Sequence, residues 1–142
     1  MGNAELIDAS RETASRGEDG EEATAFPIFD RDTMLERTMG DEGLSRMVID
    51  VFLADIPRQI QILREFLEGG DVAGSERQAH TIKGAAANVG GEVLRELAFE
   101  MEKAARAGDL STARAHVSEL EAQFDRLKEA MITFSDSPSR RC

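Results

Sequence analysis

Five residues at helical spacing, Glu76, His80, Lys83, Gly84 and Ala87, make the row in this chain whose types best suit chemistry. They share one face of a segment that reads as a helix, offset from its apolar stripe of Val72, Ser75, Ala79, Ile82, Ala86 and Val89. An imidazole on such an offset row sits at the surface, where its Nε2 lone pair is available as a nucleophile. The Lys83 ammonium, three residues on, suits an anion that develops on that nitrogen. Gly84 costs about 1 kcal/mol relative to alanine in mid-helix. Since alanines follow directly at 85–87, the glycine calls for a reason. Clearance is one: without a side chain there, a second molecule can come close to the imidazole.

The next helix carries a matching row, Arg95, Phe99, Glu102 and Arg106. With the turn centred near residue 89.5, His80 is level with residue 99 across an antiparallel pair. Glu102 is then within reach of the Nδ1–H of His80, which would fix the tautomer and leave Nε2 unprotonated. Lys83 and Arg106 would neutralise a phosphoryl group forming on Nε2, and Phe99 would offer an apolar contact for docking. Each residue alone has a plainer explanation. A lone helical histidine usually packs or fills surface, a lone lysine is solvated, and a glycine can serve the close approach of two helices. Phe99 can cap the core, and Glu102 with Arg106 is an ordinary i, i+4 pair. The conjunction is what favours a site. His116 faces away from the seam of its own helix and reads as surface. A metal centre on Glu76, His80 and Glu102 is disfavoured, because metal sites in bundles draw several Glu and Glu-x-x-His ligands from the core.

The elements that position these rows are well punctuated. Asp30 caps a short helix to about Thr38, with Met34 and Leu35 inward, and Gly40-Asp41 stops it and caps the next. A long helix follows with inner positions Met47/Val48, Val51/Phe52, Ile56, Ile60, Leu63 and Phe66/Leu67, and Pro57 predicts a kink near 53–57. Gly69-Gly70-Asp71 opens the His80 helix, which closes at Gly90-Gly91. Leu94, Leu97/Ala98, Met101 and Ala104/Ala105 line the next helix, which stops at Gly108-Asp109. A last helix has the alternating seam Leu110, Ala113, Val117, Leu120, Phe124, Leu127, Met131 and Phe134. The fold expected is all-α, an antiparallel up-down-up-down four-helix bundle with a short extra N-terminal helix, spanning 30–134. Residues 1–29, with seven acids and two arginines, read as a disordered acidic tail or interdomain linker, and 135–142 as a frayed tail.

Composition narrows the function classes. Lys and Arg total 17 against 28 Asp and Glu in 142 residues, a net charge of −11, which argues against nucleic acid and against an anionic membrane. No apolar run approaches the ~20 residues of a membrane span, and the first 25 residues lack a signal-peptide core. Leu6 stands where a myristoylation signal wants Ser or Thr. The one cysteine, Cys142, points to a reducing cytosol and a cytoplasmic protein.

The stretch AHTIKGAAANVG, Ala79 to Gly90, resembles the core pattern of histidine-containing phosphotransfer (HPt) domains, His-x-x-Lys-Gly followed by small residues and a glycine at the turn. The resemblance extends over about 28–134, through FDRDTMLERTMGD, LEGGD and LAFEMEKAARAGD. It implies a phosphorelay module that accepts a phosphoryl group from a receiver-domain aspartate and passes it to another receiver. His80 would be the phosphorylated residue, Lys83 the assisting cation and Gly84 the residue giving access. Glu102 and Arg106 match positions of an imidazole partner and a supporting cation. Docking is expected mainly over Phe99 and Gly84, with Glu76, Ala87 and Arg95 around them. The resemblance further implies a monomer with no cofactor of its own, Mg²⁺ being supplied by the receiver. The partners would be response-regulator receiver domains and, where the acidic leader joins a longer protein, a hybrid sensor histidine kinase.

The sequence holds no G-x-x-x-x-G-K-[ST] and no glycine-rich ATP segment, so ATP-dependent kinase activity is not expected. Two other readings stay open: the phospho-accepting domain of a chemotaxis-type kinase, and a helical adaptor without phosphotransfer. An adaptor has no reason to keep a cation and a gap beside His80.

Overall fold

Asp30, Asp41, Asp71 and Asp109 each accept the backbone N–H of the third residue of a helix, and these four caps set the start points of the fold. The computed structural model describes residues 27–136. Its helices are α1 (Arg31–Arg37), α2 (Glu42–Glu68), α3 (Val72–Asn88), α4 (Glu92–Arg106), α5 (Leu110–Ala115) and α6 (Val117–Asp136). All regular structure among the described residues is helical. The long helices form an all-α bundle, with α3 packed most extensively on α4 and α2 on its other side. None of these helices is long and apolar enough to cross a membrane. The expected tails lie largely outside the described residues. Of the part that is described, Phe29 packs on the core and meets Phe134 edge-to-face at 5.4 Å.

The core follows the predicted stripes with three differences. In the first half of α2 the buried residues are Ser45, Ile49 and Phe52, while Met47 and Val51 are 64% and 68% exposed. Of the expected pairs, Phe52 is buried and Val48 packs on the core, but the buried face is turned toward Ser45 and Ile49 and away from Met47 and Val51, in line with the continuation through Ile56, Ile60, Leu63 and Leu67. Val72, the first residue of the α3 stripe, is exposed at the helix end. The last predicted helix is divided at His116, whose N–H bonds to Ala113 three residues back, tightening the chain for one turn. His116 is half-buried there, and Val117 only partly so. The helix α2 continues through Pro57.

Candidate functional site

The α3–α4 pair is antiparallel, and its cross-helix contacts set the register. His80 meets Glu102 and Glu76 meets Arg106, both pairs centred on Gly91. The turn centre thus lies slightly beyond the expected 89.5, because Val89 closes α3, Gly90 turns with φ +79° and Gly91 caps α4. Level with His80 stands Glu102, where the sequence placed Phe99.

The same register buries Glu102. Its side chain is 4% exposed, a costly position for a carboxylate unless donors replace the lost water. Three donors do so. Lys83 Nζ lies 2.8 Å from Oε1, while His80 Nδ1 and Arg106 Nη2 each lie 3.0 Å from Oε2. Burial pushes the Glu102 carboxyl up, but hydrogen bonding to Lys83 and His80 and their charge outweigh it, and it is held below the ordinary carboxylate value. An ionised acceptor at Nδ1 assigns the proton to that nitrogen and leaves Nε2 with a free lone pair. The His80 side chain is 64% exposed, so this lone pair is open to an incoming group.

Gly84 is also open. A Cβ built there meets nothing within 4 Å, so no helix needs the glycine in order to approach. It borders a shallow pocket of about 180 Å³ with Lys83, Ala87, Arg95 and Phe99. Phe99 is half-buried, its ring flanked by the ammonium groups of Lys83 at 4.9 Å and Lys103 at 4.5 Å from the centroid. On the other side of His80 an open depression of about 440 Å³ holds Glu76, Glu102 and Arg106 with Ala73 and Arg77. All nine residues singled out in the sequence thus line one continuous strip of α3 and α4. Lys103 and Arg77 also stand on this strip, outside the row that the sequence pattern singles out. Lys103 was findable, standing four residues after Phe99 on the same face. Glu76, expected at the edge of the docking surface, is engaged by Arg106 at 2.7 Å.

The model of the Hpt domain family matches residues 47–130. Among curated proteins, the chain is similar to the phosphorelay intermediate protein rdeA of Dictyostelium discoideum, 22% identical over 116 residues. That alignment covers 82% of this chain and 46% of the Dictyostelium protein, so the chain spans under half of that relative's length. Among solved structures it is similar to histidine-containing phosphotransfer protein B from Pseudomonas aeruginosa PAO1. The TM-score is 0.72 with 25% identity, over 77% of this chain and 95% of that one. It also shares the fold of the HPT domain of a sensor hybrid histidine kinase from Shewanella, with TM-score 0.63 and 18% identity over 75% of this chain and 92% of that one.

Proposed function

The chain belongs to the Hpt domain family, and we propose that it is a histidine phosphotransfer module of a two-component phosphorelay in which His80 takes a phosphoryl group from the aspartate of one receiver domain and passes it to another. The observation that carries this reading is the exposed imidazole whose Nδ1 is bonded to the buried Glu102 carboxylate at 3.0 Å.

The step follows from that geometry. The Nε2 lone pair attacks the phosphorus of the receiver's acyl phosphate in line. The N–P bond forms as the P–O bond to the aspartate breaks, and the aspartate leaves as a carboxylate. No proton has to move: the ring keeps its Nδ1–H and gains a positive charge, which the Glu102 carboxylate beside it offsets. Attack by the next receiver's aspartate reverses the sequence and restores the neutral ring. Lys83 and Arg106 supply positive charge next to the phosphoryl oxygens. Gly84 lets the receiver's aspartate pocket approach, and the Phe99 pocket gives it an apolar foothold. In this reading Mg²⁺ comes with the receiver, the transfer takes place in the cytoplasm, and the donor is a receiver standing free or within a hybrid sensor kinase.

A receiver domain charged with acetyl phosphate and mixed with this chain tests the reading. The expected result is an acid-labile, alkali-stable phosphate on the wild type and none on His80→Gln. Identical behaviour of the two proteins would overturn it and favour an adaptor.

A further inference from the structure

Arg106 is not free to wait for a phosphoryl group. Its Nε–H donates to Glu76 Oε2 at 2.7 Å and its Nη2–H to Glu102 Oε2 at 3.0 Å. The two carboxylates stand in different positions. Glu102 is buried and needs its donors, whereas the Glu76 side chain is about a third exposed and water could solvate it. Glu76 lies one turn before His80 on the same face of α3, and both open into the depression that also holds Arg106. The other N–H groups of the guanidinium bond to nothing among the described residues.

Resting on the reading of His80 as the phosphorylated residue, we propose that Glu76 competes with the phosphoryl group for Arg106 and so sets how readily His80 gives that group up. A phosphoryl group brings nearly two negative charges and three strong acceptor oxygens, and guanidinium binds such groups in a bidentate manner. The Glu76–Arg106 pair is solvent-exposed and of the kind that contributes little, so it yields when phosphate arrives. The carboxylate nevertheless remains one turn away as an alternative partner. Each phosphorylation therefore displaces an existing ion pair, and each transfer onward restores it. A carrier standing between two aspartyl phosphates gains from this arrangement, because a site that held its phosphate too tightly would not pass it on. Glu76 is in these terms a positioning residue that acts through Arg106.

The partition of phosphate between this chain and one receiver domain tests the proposal. The receiver is one that phosphorylates the wild type, mixed with it in Mg²⁺ at concentrations below their mutual affinity and followed to equilibrium. An equilibrium between free species does not depend on docking contacts, so any role of Glu76 at the interface leaves it unmoved. Glu76→Gln is expected to shift the partition toward phosphohistidine by about 3–10-fold, while Glu76→Asp stays nearer the wild type. In an Arg106→Ala background the effect of Glu76→Gln is expected to fall below twofold. An unchanged partition, a shift toward the receiver, or an undiminished effect without Arg106 would overturn the proposal while the transfer reading stands. A wild type with no phosphate that His80→Gln abolishes would overturn the transfer reading, and this proposal with it.

Discussion

At the scale of single residues, Glu102 does two jobs with one carboxylate. It orients the imidazole through Oε2 and neutralises Lys83 through Oε1, and burial keeps water from competing for either. The arrangement ties stability to pH. In the unfolded chain this carboxyl has its ordinary value near 4.5, and in the fold it is held lower. A depressed carboxylate contributes its full stability above the unfolded value and loses it as pH falls through the folded one. Glu102→Gln is therefore expected to be less stable than the wild type by about 1–3 kcal/mol near pH 7, with the gap closing as pH drops below 4.5. Urea denaturation of both proteins at pH 7 and pH 3.5 checks this.

At the scale of the element, α3 holds two glycines for opposite reasons. At Gly74 a Cβ would lie 2.5 Å from the Phe66 ring and 2.7 Å from Asp71 Oδ2, so the glycine is what lets α2 and α3 close on each other. At Gly84 a Cβ meets open space. Gly74→Ala is expected to destabilise by about 1–3 kcal/mol. Gly84→Ala is expected to stabilise by about 0.5–1 kcal/mol, the ordinary helix preference. A bulky residue at 84 is expected to slow transfer with helical content unchanged. Denaturation midpoints and transfer rates measured on the same variants separate packing from access. The sequence identified Gly84 as a mid-helix anomaly but could not tell it from Gly74, because spacing does not report what lies across the gap. The first half of α2 shows a similar limit. Leu44, Met47, Val48, Ile49, Val51 and Phe52 spread over more than half of the helix circumference, and packing of the whole bundle picked Ile49 and Phe52.

At the scale of the whole molecule, α1 closes the end of the bundle where α3 turns into α4. Met34 is fully buried there, and Asp30 N–H donates to the Gly90 carbonyl at 2.6 Å. Arg37 reaches Asn88 at 3.0 Å from the same side. Gly90 has φ +79°, and a Cβ on it would run into the Asp30 carbonyl. Gly108 has nearly the same φ with open space around it. Gly108→Ala is expected to cost about 1 kcal/mol for the left-handed backbone alone, and Gly90→Ala about 2 kcal/mol or more because α1 must also shift. Thermal unfolding of the two variants isolates the contribution of the α1 clasp.

The aspartate caps, the glycine stops and the row from Glu76 to Ala87 were legible in the chain itself, because helix termini and one-face periodicity are local properties of neighbouring residues. From them came the helical bundle and an exposed His80 with Lys83 and Gly84 at its side. Whether Glu102 would be buried, and whether Arg106 would be bound to Glu76, depended on how far α4 slides along α3. A shift of a few residues there exchanges Phe99 for Glu102 beside the imidazole. That register is settled by the turn at Val89–Gly91 and by the fit of α3 against α2 and α1 and of α4 against α5 and α6. It is a sum over contacts distant in sequence, so only the tertiary structure could decide it.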